Sequence, residues 1–246
     1  MRRRPPPRRP VGRTRPAARD PRGLDAPDPR RGPIVAGAGL TDLQAATLRL
    51  FFTLPESRGF VLAGGGALLA QRLIDRPTDD LDFFTAQQPD AVAKASQALA
   101  DAAAQRGWKT AVIQAVSTFC RMHLTGMDDE ILVDLAVDAP PRLPTVATAV
   151  GPAFDPLELA GQKLLALFGR AEPRDFADVH LLAERFGRSE LLRRAADIDP
   201  GFDPAVLASM MRMLERLDDT ELPLAAEAVP RLREYFGDWA SQLEAE

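Results

Sequence analysis

Asp80 and Asp82, in the segment Asp80-Leu81-Asp82-Phe83-Phe84, are the residues whose type and spacing most directly suggest chemistry. The segment alternates polar and apolar as a half-buried strand does, so both carboxylates project from one face. Side by side they repel, at a cost unless they face water or share a cation. Hard oxygen donors on a rigid strand suit Mg2+, with waters and a substrate phosphate completing its shell. The plainer alternative is two charges on the solvated face of an edge strand. A third acid, Asp134, lies inside the apolar run Ile131-Leu132-Val133-Asp134-Leu135-Ala136-Val137, where a lone buried carboxylate would be expensive. If that run neighbours the Asp80 strand, three acids around metal ions form an in-line phosphoryl-transfer site. Asp138, just past the run, competes for the third place.

Upstream, Phe60-Val61-Leu62-Ala63 runs into Gly64-Gly65-Gly66 and then into strong helix formers. A glycine turn between strand and helix exposes backbone N–H groups that can accept a phosphate; it can equally be no more than a tight turn. Downstream, Lys163 sits among Leu157, Ala160, Leu164, Leu165 and Leu167, so its ammonium either snorkels outward or faces a charged cleft. Arg170, two turns on, can share its face. Arg174 and Asp178 have the i,i+4 spacing of a surface pair, and Asp175 has the position of an acid complementing a helix dipole.

These groups need a scaffold. Thr41-Asp42-Leu43-Gln44 has capping-box spacing and starts a first helix. Strands are expected over 60–63, 80–84, 109–115, 118–124 and 131–137, with a hairpin turn at 125–129 and an Ala-rich helix over 90–105. The Pro-rich stretch 139–144 marks a boundary, and beyond it only helices are expected: 156–168, 174–186, 189–196, 204–217 and 228–244. The fold class is therefore α+β: a head over 34–144 with a small mixed sheet and helices, followed by a C-terminal helical bundle over 145–246.

Composition bounds the function. Of the 246 residues 46 % are hydrophobic, as in an ordinary globular protein. A single Cys and two His exclude a disulfide scaffold and disfavour a His- or Cys-built metal site. No apolar stretch is long enough to span a bilayer, so a cytoplasmic protein with no membrane partner is expected. The net charge of −4 hides an asymmetry. Residues 1–33 hold nine Pro and eleven Arg against three Asp, while the remainder carries twenty basic and thirty-two acidic side chains. The first segment is expected to be a disordered arm, either one that seeks phosphate or an extension without function.

The run Phe60–Leu68, with Arg76-Pro77-Thr78-Asp79-Asp80-Leu81-Asp82 after it, resembles the first motif of the AbiEii/AbiGii-type nucleotidyltransferase toxins, a G-G-x-A-L turn and an R-x-[ST]-x-D-x-D strand. Lys163 and the stretch Arg170-Ala171-Glu172-Pro173-Arg174-Asp175-Phe176-Ala177-Asp178 resemble the family's later motif. The resemblance covers about 59–185 and implies the polymerase β-like nucleotidyltransferase fold. It also implies transfer of a nucleotide from an NTP to an acceptor hydroxyl, tRNA being the acceptor of several relatives, and a cognate antitoxin protein. On this chain it makes Asp80, Asp82 and Asp134 the Mg2+ ligands, and Lys163 the triphosphate contact. Asp175 joins the catalytic set. Gly64, Gly65, Gly66, Arg76, Thr78, Arg170, Arg174 and Asp178 join the nucleotide-binding set. Gly66 departs from the Ser or Thr common there in nucleotidyltransferases. The alternatives are an antibiotic-type nucleotidyltransferase acting on a small hydroxylated substrate, which the acidic body suits, and a catalytically silent nucleotide-binding module.

Overall fold

The computed structural model describes residues 39–88 and 90–245. The expected arm over 1–33 lies outside them. Among the described residues the fold is a mixed seven-stranded sheet with eight α-helices.

Helix α1 (Asp42–Thr53) begins at the expected capping box: the Gln44 amide donates to the Thr41 hydroxyl at 3.2 Å, and the Thr41 amide to Gln44 Oε1 at 2.9 Å. The Gln44 side chain then donates to the Thr78 carbonyl at 2.7 Å, fixing the segment that leads into the aspartate strand. Strand β1 (Phe60–Ala63) passes directly into α2 (Gly64–Ala70), so the glycines form the first helical turn itself. After β2 (Asp80–Thr85) and α3 (Asp90–Gln105) come β3 (Lys109–Val116), β4 (Phe119–Gly126) and β5 (Asp129–Val137). The sheet order is β3-β4-β5-β2-β1, then β7 (Gly151–Ala153) and β6 (Val146–Thr148).

Strand β5 runs parallel to β2, with Asp134 opposite Asp82, and antiparallel to β4, with Arg121 opposite Asp134. Period-two alternation then divides the sheet into two faces. Leu81 and Phe83, Val133 and Leu135, and Met122 and Leu124 point into the core, where α3 presents Val92, Ala95, Leu99 and Ala103. Asp80, Asp82 and Phe84, Asp134, and Phe119 and Arg121 share the other face.

Strands β6 and β7 correct the expectation that only helices follow the Pro-rich stretch. Three residues each, with a Gly and a Pro between them, they show no alternation to read; β7 is held by parallel pairing of Ala153 with Leu62 on β1. The helices are α4 (Pro156–Arg170), α5 (Pro173–Phe186), α6 (Arg188–Ile198), α7 (Pro204–Met211) and α8 (Val229–Glu244). Helix α7 is shorter than the expected 204–217: from Arg212 to Arg216 the chain tightens into a 3-10 turn, whose end carbonyls at Leu214 and Leu217 accept from Arg233.

The β4–β5 hairpin closes on Met127 and Asp128, both left-handed at φ 54° and 57°. A two-residue turn of this hand favours Asn-Gly, and a left-handed Met costs about 1–2 kcal/mol. The double substitution Met127→Asn/Asp128→Gly is expected to raise the thermal unfolding midpoint by about 2–4 °C per kcal/mol relieved. An unchanged midpoint would show that the turn is unstrained.

Candidate active site

Between the polar sheet face and helix α4 lies a cleft of about 280 Å3. Asp80, Asp82 and Asp134 lie on its sheet side together with Thr78, Phe84 and Arg121; Gln162, Lys163, Arg170 and Arg174 come from the helices; Gly64, Gly65 and Arg76 complete the rim. The two separate sequence motifs thus meet in one place.

The floor is made by close approach of backbone to carboxylate. Gly64 has φ +58°, and a Cβ there would stand 1.8 Å from Asp82 Oδ2. Only glycine allows the start of α2 to lie against Asp82. At Gly65 a Cβ would meet the Thr78 hydroxyl at 2.5 Å; that hydroxyl donates to Asp80 Oδ1 at 2.7 Å. Gly66 turns elsewhere: its missing side chain would point to Leu81 and Leu62, into the core, and it does not line the cleft. A hydroxyl at Gly66 would therefore face the core.

Asp134 is held by Arg121, whose Nε and Nη2 donate to its two oxygens at 2.7 and 2.5 Å. Asp138 is exposed, accepts from the Ala139 amide at 2.7 Å, and stands apart from the cleft. Among the described residues no group of three His, Cys, Asp or Glu side chains is arranged to hold a metal ion. With Asp134 engaged, Asp80 and Asp82 are the acids open to one. Asp82 bears the cost of that pairing. Burial, followed by the charges of Asp80 and Asp134, pushes its carboxyl up from 3.8 to about 7, although the residue keeps partial exposure to the cleft. A cation between Asp80 and Asp82 would remove that repulsion, so the donor set fits a hard divalent ion.

The opposite wall rests on two fully buried carboxylates. Asp178 accepts from Arg76 Nε and Nη2 at 2.7 and 2.6 Å and lies 2.8 Å from Lys163 Nζ. Burial opposes its ionisation, but Lys163 and Arg76 outweigh that and hold its carboxyl below the usual range. Asp175 accepts from Arg170 at 2.8 and 2.9 Å and lies 4.0 Å from Lys163. That hydrogen bond keeps Arg170 charged against desolvation. Asp175 also completes a capping box with Glu172 at the start of α5, so the helix-start role read from its position holds as well. The Arg174–Asp178 pair suggested by i,i+4 spacing does not form: Asp178 faces inward to Arg76 and Lys163, and Arg174 turns to Glu172 at 3.1 Å. Asp175 and Asp178 thus stand behind the cations, setting where they point.

Arg121, Phe84 and Gln162 were not singled out from the sequence. For Arg121 a signal existed: counting outward from the Gly126–Asp129 closing pair places it opposite Asp134. Phe84 and Gln162 carry no chemistry that marks them.

Strand-borne carboxylates face cations across the cleft, an arrangement suited to phosphoryl chemistry. The sequence profile described as nucleotidyl transferase AbiEii toxin, type IV TA system, matches residues 48–236, and the chain belongs to that family. Its fold is similar to MenT4, a nucleotidyltransferase toxin from Mycobacterium tuberculosis, at TM-score 0.59 and 19% identity over 82% of this chain and 89% of that one. It is also similar to JHP933 from Helicobacter pylori, at TM-score 0.51 and 20% identity over 82% and 91% of the two chains. At such identities the likeness speaks to the fold. No curated protein sequence matches the chain significantly.

Two outcomes are expected. Asp178→Ala leaves Arg76 and Lys163 facing each other without their shared anion, and chemical denaturation should show a loss of about 3–5 kcal/mol; a loss under about 1 kcal/mol would mean the anion is dispensable. The second concerns pH. The folded protein retains on Asp82 a proton that the unfolded chain releases, so without divalent ions stability falls as pH rises from about 4 to about 7. Thermal midpoints across that window should fall less in Asp82→Asn than in the wild type; parallel curves would contradict the shift.

Proposed function

We propose that the protein moves a nucleotide from an NTP to an acceptor hydroxyl with the help of Mg2+. The acceptor is tRNA, and the protein is the toxin of a toxin–antitoxin pair, acting in the cytoplasm and paired with a cognate antitoxin protein. The observation that carries the reading is the opposition, across one cleft, of the Asp80–Asp82 pair on the sheet and Lys163 on the helical side. The family's description supports the toxin role and the antitoxin partner, and tRNA is the acceptor that the sequence resemblance implies. No helix among the described residues is long and apolar enough to cross a membrane. The division into a head and a C-terminal helical bundle is part of the same proposal, with β6 and β7, which extend the sheet from β1, belonging to the head.

Asp80 and Asp82 would hold the ion, with Asp134 able to join them on exchanging its Arg121 partner. The chemistry such an ion supplies when bound is neutralisation of phosphate charge beside the attacking oxygen. Lys163, Arg170 and Arg174 bind the triphosphate, and the amides at Gly64 and Gly65 supply uncharged donors beside it. The acceptor oxygen forms a bond to the α-phosphorus as the bond to the bridging oxygen breaks. The hydroxyl proton passes to the carboxylate floor. Pyrophosphate leaves toward the cations, which are fixed in advance by Asp175 and Asp178.

Incubation with labelled NTPs, Mg2+ and total tRNA should place label on tRNA, and Asp80→Ala should lower transfer by orders of magnitude, because the acids act as a unit. Transfer indifferent to Asp80→Ala would overturn the assignment. Label passing instead to a small hydroxylated cation would favour the antibiotic-type alternative, which the acidic body suits.

A further inference from the structure

The polar sheet face continues past the carboxylates. Two adjacent rows of paired residues cross it. One reads Asp82, Asp134, Arg121, Gln114; the next reads Phe84, Ala136, Phe119, Val116. Strands are about 4.8 Å apart, so Arg121 and Phe119 lie about 10 Å from the β2 residues at the head of their rows. Phe84 packs on the core and on Phe154 at 6.0 Å. Phe119 is partly exposed, as Phe84 is, but has the Arg121 guanidinium 5.8 Å from its ring centroid. Beside it Val116 is 56% exposed, a large apolar side chain open to water next to a ring and a cation.

The two sides of the cleft differ in kind. Lys163, Arg170, Arg174 and Arg76 gather on the helical side, where a triphosphate fits. In-line displacement requires the attacking hydroxyl to come from the side opposite the departing pyrophosphate, and that side leads over β5 and β4. An aromatic face, an aliphatic shelf and one guanidinium are the means by which proteins seat single-stranded nucleotides: bases stack on the ring and the backbone meets the charge. A small substrate contained in the cleft would leave this strip unused.

We propose that Phe119, with Val116 beside it and Arg121 over it, seats the 3′-terminal nucleotides of a single-stranded RNA acceptor, so that its terminal hydroxyl is presented at Asp82 and Asp134. This rests on the nucleotidyltransferase reading above and assigns the acceptor a place within it. Arg121 has a double task, holding Asp134 and meeting the acceptor's backbone, whereas Phe119 bonds to no carboxylate and tests the platform cleanly.

The probe is a short single-stranded oligoribonucleotide with a free 3′ hydroxyl and a 5′ fluorophore, titrated by anisotropy against the full chain, with a fluorescent NTP analogue and Mg2+ titrated separately. Phe119→Ala should weaken RNA binding about fivefold or more, the loss expected from one base–aromatic contact, and raise KM for the RNA acceptor more than it changes kcat. Phe119→Trp, which keeps a π face, should restore it, and NTP affinity should hold in both variants. Wild-type NTP binding together with unchanged RNA affinity in Phe119→Ala would overturn the platform alone. Equal loss of RNA and NTP affinity would overturn it as well, as a general disturbance of the sheet. A wild type that binds no NTP would overturn the underlying reading together with it.

Discussion

One buried carboxylate ties the two motifs of this protein together. Asp178, on α5, binds Arg76 from the segment before β2 and Lys163 from α4. An unpaired carboxylate at that depth would cost several kcal/mol, so the ion pairs are a condition of folding before they are a feature of function. Because both cations must reach the same oxygens, the approach of α4 to the sheet is fixed, and with it the position of the Lys163 ammonium relative to Asp80 and Asp82. Asp175 does the same for Arg170.

The sheet side carries the opposite tension. Asp80, Asp82 and Asp134 share a face, the start of α2 is pressed against Asp82 through Gly64, and the result is a carboxyl held near neutrality. Arg121 relieves part of the repulsion by taking Asp134. The remaining repulsion is one that a cation between Asp80 and Asp82 would relieve. The acids repel one another, and the cations opposite are already oriented by carboxylates, Arg76 and Lys163 sharing Asp178 alone. An incoming ion and triphosphate therefore find both halves of the site set, and binding need not reorganise them.

Much of this was legible in the sequence. The capping box of α1, the alternation that puts Asp80 and Asp82 on one face, and the helix starts at Pro156 and near Arg174 all follow from local chemistry. Spacing allowed Lys163 and Arg170 to share a face, and both line the cleft. Partner choice was harder. Arg174 and Asp178 are at pairing distance along α5, yet Asp178 turns inward, because a helix pattern says which face a residue is on and not which distant cation will meet it. The glycine turn is already helical: a side chain at Gly66 would face the core, while its amide is still one of the first-turn N–H groups of α2. Strands β6 and β7 are too short to alternate and exist through pairing, β7 to β1 and β6 to β7. Arg121 was within reach by hairpin register, had the turn been placed at Met127 and Asp128, two residues without the Gly or Asn that marks such turns.

The central claim is that Asp80 and Asp82 on one side and Lys163 and Arg170 on the other act on a single nucleotide between them. A crystal structure with Mg2+ and a non-hydrolysable NTP tests this directly. The triphosphate should lie against Lys163 and Arg170, with the ion between its α-phosphate and the Asp80 and Asp82 carboxylates. A nucleotide bound elsewhere, or an ion seated away from both aspartates, would contradict the account.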